Sequence, residues 1–179
     1  MPDERTNKPH AIIVMGVSGC GKSSVGEKLA EALHLTFVEG DALHPAANVE
    51  RMSKGIPLTD DDRMPWLDRI GEDIKTSLEG GEGIIVSCSA LKRIYRDRLR
   101  EAAGGNLFFA YLEGSRALLT KRMGERKGHF MPVSLLESQL ATLEVPTGEP
   151  GVVTVDIDDT IDGIATSALR GLKALGVTA

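Results

Sequence analysis

The residues best suited to chemistry in this chain begin at Gly16. Gly16-Val17-Ser18-Gly19-Cys20-Gly21-Lys22-Ser23 fits the pattern G-x-x-x-x-G-K-[ST], with an apolar run before it and a helical pattern after it. Close approach explains the spacing. Gly16, Gly19 and Gly21 let the backbone wrap until successive N–H groups face an anion. A helix starting near Lys22 points its positive end at the same place. Lys22 then neutralises charge on β- and γ-phosphates, the Ser23 hydroxyl is a Mg²⁺ ligand, and Ser24 completes the nucleotide-binding stretch. The alternative is a glycine turn whose Lys and Ser merely start a helix. The match in its strand-to-helix context points to a nucleoside triphosphate site and leaves the phosphate acceptor open.

Glu39-Gly40-Asp41 follows the next apolar run. Asp41 is placed to orient an attacking hydroxyl or take its proton, and Glu39 to hold the water shell of Mg²⁺. The competing reading is a strand-end turn with solvated carboxylates. The third apolar run ends Val86-Ser87-Cys88, where many nucleotide-binding proteins of this type carry an acid. Without one, Mg²⁺ must depend on Ser23, phosphate oxygens and waters held by Glu39 or Asp41. This counts against motor-type ATPases and most GTPases, and no Asn-Lys-x-Asp guanine-reading segment is present.

Other charged groups are less specific. Asp60-Asp61-Asp62 is either a metal cluster or a solvated, helix-capping run. Arg63, beside a helix start, can clamp a carboxylate in bidentate fashion. Lys92, Arg93, Arg96, Arg98 and Arg100 occupy several helix faces and read mostly as surface charge. Lys121, Arg122, Arg126, Lys127 and His129 are interrupted by Gly124 and Gly128. They suit either a lid closing over phosphates, at about residues 122–132, or a solvated helix face.

These groups need elements to position them. Ala11 to Met15, Thr36 to Glu39, Gly83 to Cys88, Leu107 to Leu112 and Val152 to Ile157 read as strands. Helices are expected over Lys22 to His34 (Val25, Leu29, Ala32 and Leu33 inward), Pro45 to Ser53, Pro65 to Leu78, Leu91 to Ala102, Arg116 to Glu125, Val133 to Leu143 and Ile161 to Leu175. Lys54 to Asp62 reads as loop. Continuous apolar strands alternating with helices imply a parallel sheet covered on both faces, with ligands beyond the strands' carboxyl ends. Residues 1–10 read as a polar tail and 11–179 as one domain.

Composition bounds the partners. The chain has 179 residues, is 41% hydrophobic and 26% charged, and carries a formal net charge of −5, an ordinary globular balance of the wrong sign for a general polyanion binder. One Trp, two Tyr and four Phe are few for stacking bases, so nucleic acid is not expected. Cys20 and Cys88 lack metal-site spacing and cannot build a disulfide framework. No apolar run approaches a membrane span, and the N-terminus has no secretory core. The expectation is a soluble, cytoplasmic α/β domain with neither membrane nor nucleic-acid partners.

The segments together resemble the gluconokinase family of small P-loop kinases. The resemblance rests on Gly16 to Ser23, Glu39-Gly-Asp-Ala-Leu-His-Pro45, Asn48, Met52 and Gly55-Ile-Pro-Leu58. It continues through Asp60-Asp-Asp-Arg63, Pro65-Trp-Leu67, Cys88-Ser-Ala-Leu-Lys92, Tyr95-Arg-Asp97 and Arg126-Lys-Gly-His-Phe130, roughly from Ile12 to Ile157. It implies ATP- and Mg²⁺-dependent phosphorylation of D-gluconate at its 6-hydroxyl. It also implies a nucleoside-monophosphate-kinase-like core, a five-stranded parallel sheet in order 2-3-1-4-5, and a homodimer. Glu39 departs from the family's more frequent Asp, whereas Asp41 is retained.

Gluconate has one carboxylate and five hydroxyls, so its pocket needs a cation and several hydrogen-bonding groups. Arg63, Lys92 and Arg96 are the candidates for the carboxylate. His44, Asp60 and Ser89 are candidates for the hydroxyls, and His129 is grouped with them. Lys22, Asp41, Arg122 and Arg126 form the expected catalytic set, the two arginines acting from the lid. The rivals are a shikimate or nucleoside-monophosphate kinase of the same core, and a nucleotide-dependent switch that transfers no phosphate.

Overall fold

The computed structural model describes residues 9–125 and 133–177. Strand β1 (Ala11–Met15) leads through the phosphate loop to helix α1 (Lys22–Leu33), then β2 (Thr36–Glu39) and a single 3-10 turn over Gly40–Leu43. Helices α2 (Ala46–Ser53) and α3 (Asp60–Glu79) precede β3 (Ile84–Ser87) and α4 (Arg93–Ala102). The chain closes with β4 (Leu107–Glu113), α5 (Arg116–Glu125), α6 (Val133–Thr142), β5 (Val152–Asp156) and α7 (Ile161–Ala174). The strands form one parallel sheet in the order β2-β3-β1-β4-β5.

Strand periodicity of two divides the core. Ile12 and Val14 of β1 face Val25, Leu29 and Leu33 of α1 and Ile164, Ala168 and Leu172 of α7. Ala11, Ile13 and Met15 face the other way, onto Trp66, Leu67, Ile70 and Ile74 of α3 and Tyr95 and Leu99 of α4. All five β1 residues are fully buried. Each large aliphatic among them stabilises the fold by about 1.5–3 kcal/mol relative to exposure. Ala32, expected inward, is exposed, while Ala30 on the adjoining flank of α1 is buried.

The main departure from the sequence reading is α3, which starts at Asp60, inside the expected loop. Thr59 is its N-cap in a reciprocal capping box. Asp62 N donates to Thr59 Oγ1 (3.1 Å), and Thr59 N donates to Asp62 Oδ2 (2.9 Å). Pro65 therefore lies inside the helix, on its exposed side, where water can serve the carbonyl that lacks an N–H partner. The three acids of the first turn favour the helix dipole.

Arg96 is a second departure. It is fully buried, donating to Glu149 (2.6 and 2.9 Å), Ala90 O (2.8 Å) and Glu144 O (2.9 Å). Arg100 also reaches Glu149 at 3.0 Å. Arg96 thus staples α4 to the α6–β5 connection and does not enter a substrate pocket. Arg96→Ala, which leaves Glu149 buried with a weakened partner set, is expected to cost about 3–5 kcal/mol in urea denaturation. A loss below 1 kcal/mol contradicts this role.

Candidate active site

Three strands deliver the site from their carboxyl ends. After β1, Gly19 and Gly21 take φ of 85° and 90°, and Gly21 serves as the N-cap of α1, with no side chain capping the first N–H groups of the helix. Lys22 is nearly buried, its Nζ 3.3 Å from Val17 O. Gly16 N donates to Ser89 O (3.4 Å), so the residue after Cys88 abuts the base of the loop. Ser18 N donates to Gln139 Oε1 of α6 at 2.7 Å.

From β2, Glu39 reaches across to both neighbours. Its Oε2 accepts from Ser23 Oγ (2.5 Å) and its Oε1 from Ser87 Oγ (2.7 Å). Asp41 lies in the first turn of the 3-10 segment and is exposed. Cys88, fully buried, is pushed up to about 12, chiefly by burial and then by the charge of Asp41, with Lys22 and Arg63 acting in the opposite sense. Its thiol is inert as a nucleophile.

A charged cluster forms where α3 meets α4. Asp60 accepts from Lys92 Nζ (2.9 and 3.2 Å) and from the Tyr95 hydroxyl, which in turn accepts from Arg63 Nη1 (2.8 Å). The Tyr95 and Lys92 hydrogen bonds hold the Asp60 carboxyl below its ordinary value. Two cations face one carboxylate here. Nearby, His44 stacks on Trp66 (ring centroids 4.0 Å apart), and Trp66 Nε1 donates to Gly40 O (2.8 Å). Asn48 Nδ2 ties α2 to Asp62 O at 2.8 Å and lies 3.4 Å from His44 Nδ1.

A cleft of about 360 Å³ opens beside the phosphate loop, lined by Gly19, Gly21, Ser24, Arg122, Asp159, Thr160 and Ile161. Arg122, expected over the phosphates from a lid, has its Nη2 on Ile157 O (2.5 Å) and Asp159 O (3.2 Å). The carbonyls beyond β5 hold it at the rim of this cleft. Arg126 and His129 lie outside the described residues, as does most of the expected lid.

A family model described as "AAA domain" matches residues 12–146. The gluconokinase of Gluconobacter oxydans (strain 621H) is 47% identical over 93% of this chain and 93% of its own length. The thermoresistant gluconokinase of Escherichia coli (strain K12) is 42% identical over 94% of this chain and 97% of its own. A solved gluconokinase structure from Sinorhizobium meliloti 1021 superposes with a TM-score of 0.86 at 57% identity, covering 94% of each chain. The chain belongs to the gluconokinase family.

The expected site residues of this gluconokinase-family chain thus divide by position. Lys22, Ser23, Glu39, Asp41 and Ser89 gather at the ends of β1, β2 and β3, beside Val17, Ser18 and Cys20 of the loop. Asp60, Arg63 and Lys92 form the charged cluster, and His44 packs on the Trp66 that backs it. Arg96 is held elsewhere. Sequence reasoning gave no role to Ser87, Gln139, Tyr95 or Trp66. A small hydroxyl in the place of the missing β3 acid was the signal for Ser87; Gln139 left none.

His44 is lowered to about 4, first by burial and then by the charge of Arg63. The unfolded chain takes up this proton from about pH 6.5 downward, so the contribution is full above that value and is lost as pH falls towards 4. Urea denaturation of His44→Gln at pH 7 and pH 5 is expected to show a smaller acid-side loss than the unsubstituted protein. Equal slopes would mean that His44 titrates normally.

Proposed function

We propose that this protein transfers the γ-phosphoryl group of ATP to the 6-hydroxyl of D-gluconate, giving 6-phospho-D-gluconate and ADP. What supports this reading is that Lys22, Ser23 with Glu39, and Asp41 follow the carboxyl ends of β1 and β2, together with the charged Arg63–Tyr95–Asp60–Lys92 cluster where α3 meets α4. Full-length similarity to gluconokinases supports the choice of acceptor.

The phosphate loop amides and Lys22 cradle the polyphosphate, and the cleft beside Ser24, Arg122 and Thr160 has the size and position for the nucleoside. Asp41 accepts the proton of the 6-hydroxyl as the oxygen–phosphorus bond forms and the bridging bond to ADP breaks. Lys22 stabilises the charge that develops on the bridging oxygen. Arg63 and Lys92 exceed Asp60 by one positive charge, which suits a sugar acid, and Asp60, Tyr95 and Ser89 offer partners for its hydroxyls. Neutral His44 can either donate or accept.

The residues fit Mg²⁺. Ser23 and Glu39 supply adjacent hard oxygens, and among the described residues no group of three His, Cys, Asp or Glu side chains forms a full cage. When bound beside Ser23 and Glu39, such an ion would supply positive charge to neutralise the phosphate oxygens. A homodimer and a cytoplasmic setting belong to the same proposal. Among the described residues, no helix is long and apolar enough to cross a membrane.

A panel of gluconate, shikimate and AMP as acceptors, with ATP, is expected to show ADP release with gluconate alone. Turnover on shikimate or AMP instead overturns the assignment. Asp41→Asn should keep ATP binding while kcat falls on the order of 10²-fold or more, and Lys22→Ala should abolish turnover. Unchanged turnover in Asp41→Asn removes Asp41 as the proton acceptor.

A further inference from the structure

The end of β3 carries no acid, and the structure puts Ser87 there instead. Ser87 is fully buried and is the register partner of Glu39 in the β2–β3 ladder. Its hydroxyl donates to Glu39 Oε1 (2.7 Å) and accepts from Gly40 N (3.3 Å), using its one proton and a lone pair at once. The other carboxylate oxygen, Oε2, is on Ser23 Oγ. The strands meet this closely because residue 40 is glycine. A Cβ at that position would fall 2.0 Å from Ser87 O.

We propose that Ser87 is a positioning residue for phosphoryl transfer: its hydroxyl fixes the Glu39 carboxylate against Ser23 Oγ, so that the acid missing from β3 is delivered by the neighbouring strand. Glutamate is one methylene longer than aspartate and has more rotamers to lose, so a carboxylate on β2 needs a second anchor to hold one position. A neutral donor is suited to this task. It orients the carboxylate and leaves its charge available to a cation, where a lysine would neutralise it and a second acid would repel it. The sheet supplies the precision, since Ser87 is paired through its strand to β1 as well as β2.

This inference rests on the Mg²⁺–ATP reading above, and its test separates the two. ATP binding without an acceptor is measured by titration calorimetry, with the fluorescence of Trp66, the single tryptophan, which donates to Gly40 O beside Glu39, followed alongside. In Ser87→Ala, ATP binding in EDTA is expected to match the unsubstituted protein. The Mg²⁺ concentration for half-maximal response is expected to rise about tenfold, the usual scale for losing a residue that orients a metal-side ligand. Glu39→Gln should show a similar rise, and adding Ser87→Ala to it should bring no further one.

A Mg²⁺ requirement unchanged in Ser87→Ala overturns the proposal. So does an equal further rise in the Glu39→Gln background, which would make Ser87 a mere tie for the Gly40 N–H. Should Ser87→Ala fail to fold, the nearly isosteric and weakly donating Ser87→Cys makes the same comparison. Binding of ATP by the unsubstituted protein that is indifferent to Mg²⁺ overturns the underlying reading, and this proposal with it.

Discussion

Everything in this site hangs on the burial of β1. A strand with no exposed residue, paired in parallel on both edges, has no freedom to slide without exposing its apolar set. It therefore fixes where the phosphate loop begins. Through β3 it also fixes Ser87 and Cys88, and through β3 again it fixes the end of β2. Lys22, Glu39 and Asp41 are far apart in the chain, and the parallel arrangement sets their carboxyl-terminal strand ends side by side. The backbone amides, the ammonium group and the two carboxylates are thus placed by the sheet before any ligand arrives.

The second constraint is charge. A chain of net charge −5 offers a binding site to anions by deciding which cations remain available. Arg96 and Arg100 are spent on Glu149 inside the protein, and Arg98 on Asp68 at its surface. Buried pairs of this kind return little net stability, because desolvation offsets their attraction. Arg96 and Glu149 do tie α4 to the α6–β5 connection, and α4 is the helix whose start carries Lys92 and Tyr95. Glu144 of that connection accepts from Arg93 N at 2.8 Å, and Gln139 of α6 meets the phosphate loop. The charged cluster of Asp60, Arg63, Lys92 and Tyr95 and the phosphate loop are thus braced by one stretch of chain.

Much of the fold was legible because it depends on local signals. The five strands, the helices between them and the phosphate loop follow from apolar runs, helical spacing and glycine positions, and their boundaries differ from the structure by a few residues. The start of α3 was misplaced because Asp60-Asp61-Asp62 looks like a loop until Thr59 and Asp62 are seen to cap one another. The alternative reading of those acids was in part correct, since Asp62 caps the helix while Asp60 binds Lys92 and Tyr95.

The sequence by itself determined the kind of chemistry: a phosphate-binding loop, an acid two positions after another at Glu39 and Asp41, and the quoted segments that the gluconokinase family shares. Only the tertiary structure decided which charges are tied up inside the protein and which are not. Arg63, Lys92 and Arg96 were equal candidates along the chain, yet folding turns Arg96 inward to Glu149 and leaves the other two with Asp60 and Tyr95. Ser87 was an absence in the sequence and becomes the anchor of Glu39 in the fold. The physical reason is range. Backbone preference and hydrophobic period act over a few neighbours, whereas a hydrogen bond between residues 39 and 87 exists only once β2 and β3 have paired.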